Sequence, residues 1–124
     1  MYEVRESPHF SNLVRAGYLK KHKKILDDIN KIKKRLQQNP TNLGNCVPRL
    51  QSLPPSLNCA IYKTRMNDSS NRIGAQGGFR IYYIVCSKEF VVHLLFLYHK
   101  RETENPHLDY LLQNLKHSLD SLGL

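Results

Sequence analysis

Three short runs constrain this chain more than anything else in it: "CAIYKTRM" (59–66), "GGFRIYYIVCS" (77–87) and "FVVHLLFLYHKR" (90–101). Each is rich in β-branched and aromatic residues and bounded by turn residues, which reads as three strands. Ser87-Lys88-Glu89 is a short hairpin link, and "NDSSNRIGAQGG" is a longer, polar, flexible one. The middle strands are apolar on both alternations, so each face of the sheet is expected to be covered in part.

The rest of the chain supplies the covers. From Phe10 to about Gln38 the pattern is helical, with a break expected at Gly17. In "LKKHKKILDDINKIKKRLQQNP", Ile25, Ile29, Ile32 and Leu36 fall at helical spacing and lysines take the opposite face. Pro40 stops the run, so a helical hairpin packing by one stripe is expected. Residues 2–7 carry a weak strand signal. Residues 39–58 are rich in Pro, Asn and Ser and read as an irregular connection pinned by Leu50, Leu53 and Leu57. "NPHLDYLLQNLKHSLDSLGL" reads as a helix with Asn105 as N-cap and Pro106 as its first residue. Its inward stripe is Leu108, Leu111, Leu112, Leu115 and Leu119. The order is strand, two helices, three antiparallel strands, helix: one α+β domain over 1–124.

Composition adds charge. Nineteen Lys and Arg stand against ten Asp and Glu, a net +9. Such a domain suits a polyanion or an acidic protein partner, or is a soluble surface with a basic accent. The N-terminus lacks the apolar stretch of a leader peptide, and Phe90–Tyr98, interrupted by His93, is too short to span a bilayer. No membrane association is expected. Cys46, Cys59 and Cys86, odd in number and without CxxC, read as unpaired thiols in a reducing cytosol. With no HExxH and no cysteines at ligand spacing, no metal and no small-molecule cofactor are expected.

The candidate site is a set of cations. Period-two geometry puts Lys63 and Arg65 on one face of their strand. Antiparallel pairing brings Arg80 beside the end of that strand and beside the end of the third, where Lys100 and Arg101 lie. Convergence of Lys63, Arg65, Arg80 and Arg101 would hold a phosphate backbone, the guanidinium forks binding its oxygens in pairs. Charged strand ends that merely block edge pairing fit the same residues. His107, expected in the first turn of the last helix, is either a solvated residue or a proton acceptor. His99 is a second candidate, and His93 reads as a hydrogen-bonded core histidine. The lysine-rich helix from Lys20 to Arg35 is a solvated face, a track for a nucleic-acid backbone or a surface for an acidic partner.

"IYKTRM", "GGFRIYYIV" and "VVHLLFLYHKRE", followed by a terminal helix, resemble the RelE/ParE superfamily of bacterial toxins, with a long link ending in Gly77-Gly78 closer to its HigB-like branch. The resemblance implies a small twisted antiparallel sheet with two N-terminal helices packed on it and a C-terminal helix. It implies a cytoplasmic toxin held inactive by a cognate antitoxin, cleaving messenger RNA on the ribosome without metal. The family's basic positions fall on Lys63, Arg65, Arg80 and Arg101, with Lys100 among the RNA contacts. A family tyrosine falls at about His107, and a further arginine is replaced by Thr103. The implied reaction is attack of a 2′-hydroxyl on the adjacent phosphate. Lys63 or His107 would be the base, Arg65 and Arg80 would hold the phosphate, and Arg101 would stabilise charge or protonate the leaving oxygen. A placed proton-transfer group contributes about 10²–10⁴-fold, and each donor on the developing charge about 10²–10³-fold. ParE-like relatives instead inhibit DNA gyrase without cutting RNA. A non-enzymatic nucleic-acid-binding domain is the third reading.

Overall fold

The computed structural model describes residues 1–50, 58–103 and 105–123. The three runs form β3 (Cys59–Met66), β4 (Phe79–Cys86) and β5 (Val91–His99). They are joined by β1 (Glu3–Glu6) and β2 (Asn45–Cys46) in a five-stranded sheet of order β1-β5-β4-β3-β2. All pairings are antiparallel except one: β1 runs parallel to β5. The sheet is therefore mixed, not antiparallel as expected. β1 has no hairpin tying it to β5. Lying the same way, it feeds α1 (Pro8–Leu13) straight over the sheet, and the rest of the chain supplies the long crossover that parallel pairing needs.

Both faces are covered, as the double apolar alternation requires. One cluster packs Phe10, Val14, Ile25, Ile29, Ile32 and Leu36 on Phe79, Ile81, Tyr83 and Leu97. The other packs Val47, Leu50, Leu111, Leu115 and Leu119 on Ile61, Tyr82, Ile84, Phe96 and Tyr98. A register shift opposite Tyr82 and Tyr83 makes Leu95 the extra residue of a β-bulge. Its carbonyl leaves the ladder and accepts the hydroxyls of Ser7 (3.0 Å) and Ser118 (2.6 Å), which ties α1 and α5 (Leu108–Ser121) to β5.

Three helix boundaries differ from the sequence reading. Gly17 lies inside a π-helical turn, Val14–Tyr18, that runs on into α2 (Leu19–Lys21). The break comes at His22, whose backbone leaves helical geometry while its ring is drawn into the end of the sheet beside Asp68. α3 (Ile25–Gln38) ends before Pro40, but Pro40 opens a further turn, α4 (Pro40–Leu43). α5 starts at Leu108 with His107, not Asn105, as N-cap, and Pro106 precedes it. His107 therefore lies outside the first turn. Leu108 and Leu112 are exposed, because Leu108 lies beyond the end of the core and Leu112 flanks the stripe Leu111, Leu115, Ser118, Leu119. Leu50 is buried as expected, while Leu53 and Leu57 lie outside the described residues.

Cys59 and Cys86 form a cross-strand disulfide, which overturns the reading of unpaired thiols. The β3–β4 register sets them directly opposite, Cα–Cα 4.2 Å, a separation that sequence spacing does not reveal. Cys46 is exposed and not part of it. Among the described residues no helix is long and apolar enough to cross a membrane.

Candidate functional site

The register places Lys63 opposite Tyr82, Arg65 opposite Arg80, and Arg80 opposite Tyr98. Alternation along β4 sends Phe79 and Ile81 to the α3 side and Arg80 and Tyr82 to the α5 side, so Lys63, Arg65 and Arg80 share the α5 side. Like charges directly across a ladder destabilise it. Among the described residues, no carboxylate lies within ion-pairing distance of these three.

A space of ≈ 540 Å³ is lined by Arg35, Asn45, Lys63, Arg65 and Arg80. It exists because β2 covers β3 only at Tyr62 and Lys63, which leaves Thr64–Met66 as open edge. Gly44 allows the close approach: a Cβ there would meet the Lys63 carbonyl and the Tyr83 hydroxyl.

Arg80 is held in place. Its guanidinium donates to the carbonyls of Ala75 (3.0 Å) and Gln76 (2.7 Å), so the loop before β4 fixes it and leaves the remaining donors of its fork for a ligand. Burial, then the Arg65 charge, push this guanidinium below its ordinary range. Lys63 is affected more broadly. Burial first, then the charges of Arg49, Arg80, Lys100 and Arg65, lower its ammonium from the usual 10.5. Lys100 reaches this group because its backbone N–H donates to the Gly78 carbonyl (2.8 Å) as the chain leaves β5.

Arg49 was missed by sequence reasoning. It is the one basic residue of "NCVPRLQS", and nothing in a loop's sequence says which face it joins. Its charge acts on Lys63, Tyr82 and Tyr98. Burial pushes both phenols up, and the two are hydrogen-bonded to each other. Tyr82 also stacks on Phe96, 4.6 Å between centroids, so the basic residues stand beside an aromatic floor.

Arg101 is not brought to this cluster. One residue beyond Lys100, it turns to the other side of the sheet end and lines a separate space of ≈ 480 Å³ with His22, Asn71, His99 and Glu102. His99 faces that side too, buried beside Phe79. His107 is exposed and its ring does not cap α5. His93 is half-buried, and its Nδ1 has no hydrogen-bond partner, contrary to the satisfied core histidine expected. Burial lowers its pKa from 6.5, with a smaller push from Arg5.

No protein-family model matches this chain, and a search of curated proteins finds no match.

Proposed function

We propose that this protein is a RelE-like endoribonuclease, the toxin of a toxin–antitoxin pair, cutting messenger RNA on the ribosome by attack of a 2′-hydroxyl on the adjacent phosphate. The observation that carries the reading is the convergence of Lys63, Arg65 and Arg80 on one sheet face, with the charges of Arg49 and Lys100 acting on Lys63 and no carboxylate among the described residues pairing the first three. Such an arrangement costs stability unless a polyanion occupies it. Lys63, with its lowered pKa, is the base that takes the 2′-hydroxyl proton. Arg65 and the braced Arg80 hold the phosphate and the charge that develops on it. Lys100, an ammonium on the same side, protonates the leaving 5′-oxygen more readily than a guanidinium would. Work on the ribosome implies a cytoplasmic location, whose reductants would open the Cys59–Cys86 disulfide. An acidic antitoxin segment would cover the basic face.

The test is expression of the chain with mapping of breaks in translated messages. Lys63→Ala and Arg65→Ala are expected to lower cleavage by about 10²-fold or more each. Arg101→Ala and His107→Ala are expected to leave most of it. Growth arrest with intact messages and relaxed plasmid would favour a ParE-like gyrase inhibitor. RNA binding without breaks or arrest would favour a plain binding domain.

A further inference from the structure

On the opposite side of the sheet end three metal-ligating side chains converge from distant parts of the sequence: His22 after α2, Asp68 after β3, and His99 at the end of β5. All three are buried, 4%, 0% and 3% exposed. The Asp68 Oδ2 lies 3.1 Å from His22 Nδ1 and 2.9 Å from His99 Nε2, and the three ligand atoms lie within 4.8 Å of one another. We propose that His22, Asp68 and His99 bind a divalent transition-metal ion of the zinc type, with a fourth position open to the adjoining space. This inference is independent of the RNA reading and concerns a different face.

Tetrahedral zinc with bonds of about 2.0–2.1 Å sets its ligand atoms roughly 3.4 Å apart, so the two carboxylate–imidazole separations need only a small dilation. Two imidazoles and one carboxylate suit zinc, whereas calcium and magnesium call for sets of oxygen ligands. Phe79 meets both rings edge-on, centroids 5.1 and 4.8 Å away, and restrains them. Asn71 Nδ2 donates to Asp68 Oδ2 (2.8 Å), which orients the carboxylate.

The second independent observation is His22 Nε2, a buried nitrogen without a hydrogen-bond partner. With the metal on Nδ1, the proton sits on Nε2, and Glu102 Oε1, 3.8 Å away, is the carboxylate to receive it. That is the outer-shell support a metal-bound histidine ordinarily has. Two existing bonds oppose the ion. Asn71 Nδ2 lies 3.1 Å from His22 Nδ1, the nitrogen that would ligate, and must give way. His99 Nδ1 accepts the Arg101 N–H (3.2 Å), and ligation through Nε2 would place a proton on that same Nδ1. Binding therefore shifts the turn that holds Arg101 and Glu102, the turn that also brings Glu102 to His22.

The experiment uses the full chain, stripped with a chelator and titrated with Co²⁺, then Zn²⁺. One equivalent of Co²⁺ is expected to give the intense visible absorption of a tetrahedral site, and Zn²⁺ to abolish it. His99→Gln and Asp68→Asn are expected to weaken Zn²⁺ binding at least 100-fold. His117→Gln, at the exposed member of the His9–His117 ring pair, should leave it unchanged. Should the first two variants not fold, ¹⁵N spectra of the wild-type chain decide. Zn²⁺ must move the ring nitrogens of His22 and His99 and the amide of Arg101, while His9 and His117 stay put. Absence of a saturable Co²⁺ spectrum, or a spectrum that survives His99→Gln, or ring shifts confined to His9 and His117, overturns the proposal.

Discussion

Lys63 is surrounded by the charges of Arg49, Arg65, Arg80 and Lys100, and the consequence at the scale of one residue is a pH dependence. Below its folded pKa the ammonium is charged in both folded and unfolded chains, and the folded state bears burial and repulsion. Between the folded pKa and 10.5 the folded state releases its proton first, so stability rises with pH across that window and levels off above it. Lys63→Met should flatten that rise in urea denaturation curves. The same proton governs the proposed chemistry. Cleavage should climb with pH and level off below 10.5, and Lys63→Arg, which stays protonated, should lose both the climb and about 10²-fold in rate. Glu6 titrates at the acid end. Burial alone would raise its pKa, but hydrogen bonds from Lys33 and Ser11 outweigh that and hold it below 4.5. Its contribution is complete above 4.5 and is lost as pH falls through the folded value. Glu6→Gln should remove that acid slope, and an unchanged slope would assign it to other carboxylates.

At the scale of elements, the β5 bulge is the joint between the two helical layers. Ser118→Ala removes a buried hydroxyl from the Leu95 carbonyl while Ser7 keeps its own bond, so a loss of about 1–2 kcal/mol is expected by chemical denaturation. The disulfide closes the segment between β3 and β4, 27 residues apart in sequence. Chain-entropy arguments give it about 3–4 kcal/mol, so reductant should lower stability by that much and leave Cys59→Ser unaffected. The long strands were legible because their composition and alternation admit little else, and α3 because four apolar residues share one stripe. The parallel pairing of β1 was not legible, since four residues carry no directional information. Nor was the start of α5. Asn105-Pro106 is good capping chemistry, yet the helix begins where Leu111 can reach the core. The break at His22 depends on Asp68, forty-six positions away by their numbers, and no local pattern encodes it.

Across the whole molecule the sheet separates two kinds of polar chemistry. Lys63, Arg65 and Arg80 were readable as a group because strand alternation and antiparallel pairing are enough to align them. Arg49, on a loop, and Arg101, one residue past a strand's turn, were not, because side-chain direction outside regular structure is set by packing. The His22–Asp68–His99 group was invisible for the same reason. On the proposed function, the division predicts where RNA would lie. Each phosphate neutralised on a single strand contributes about −0.7 to the slope of log affinity against log salt. If Arg49, Lys63, Arg65, Arg80 and Lys100 all engage, the slope is roughly −3.5, and Arg65→Ala should reduce it by about 0.7. Lys20 and Lys23, exposed beside α2 on the other side, should be replaceable by Ala without changing the slope. Anisotropy of a labelled RNA oligonucleotide over a salt series measures both. Equal losses from the two sets would mean that the net charge, not the α5-side face, holds the RNA, and the assignment of Lys63 as base would lose its footing with it.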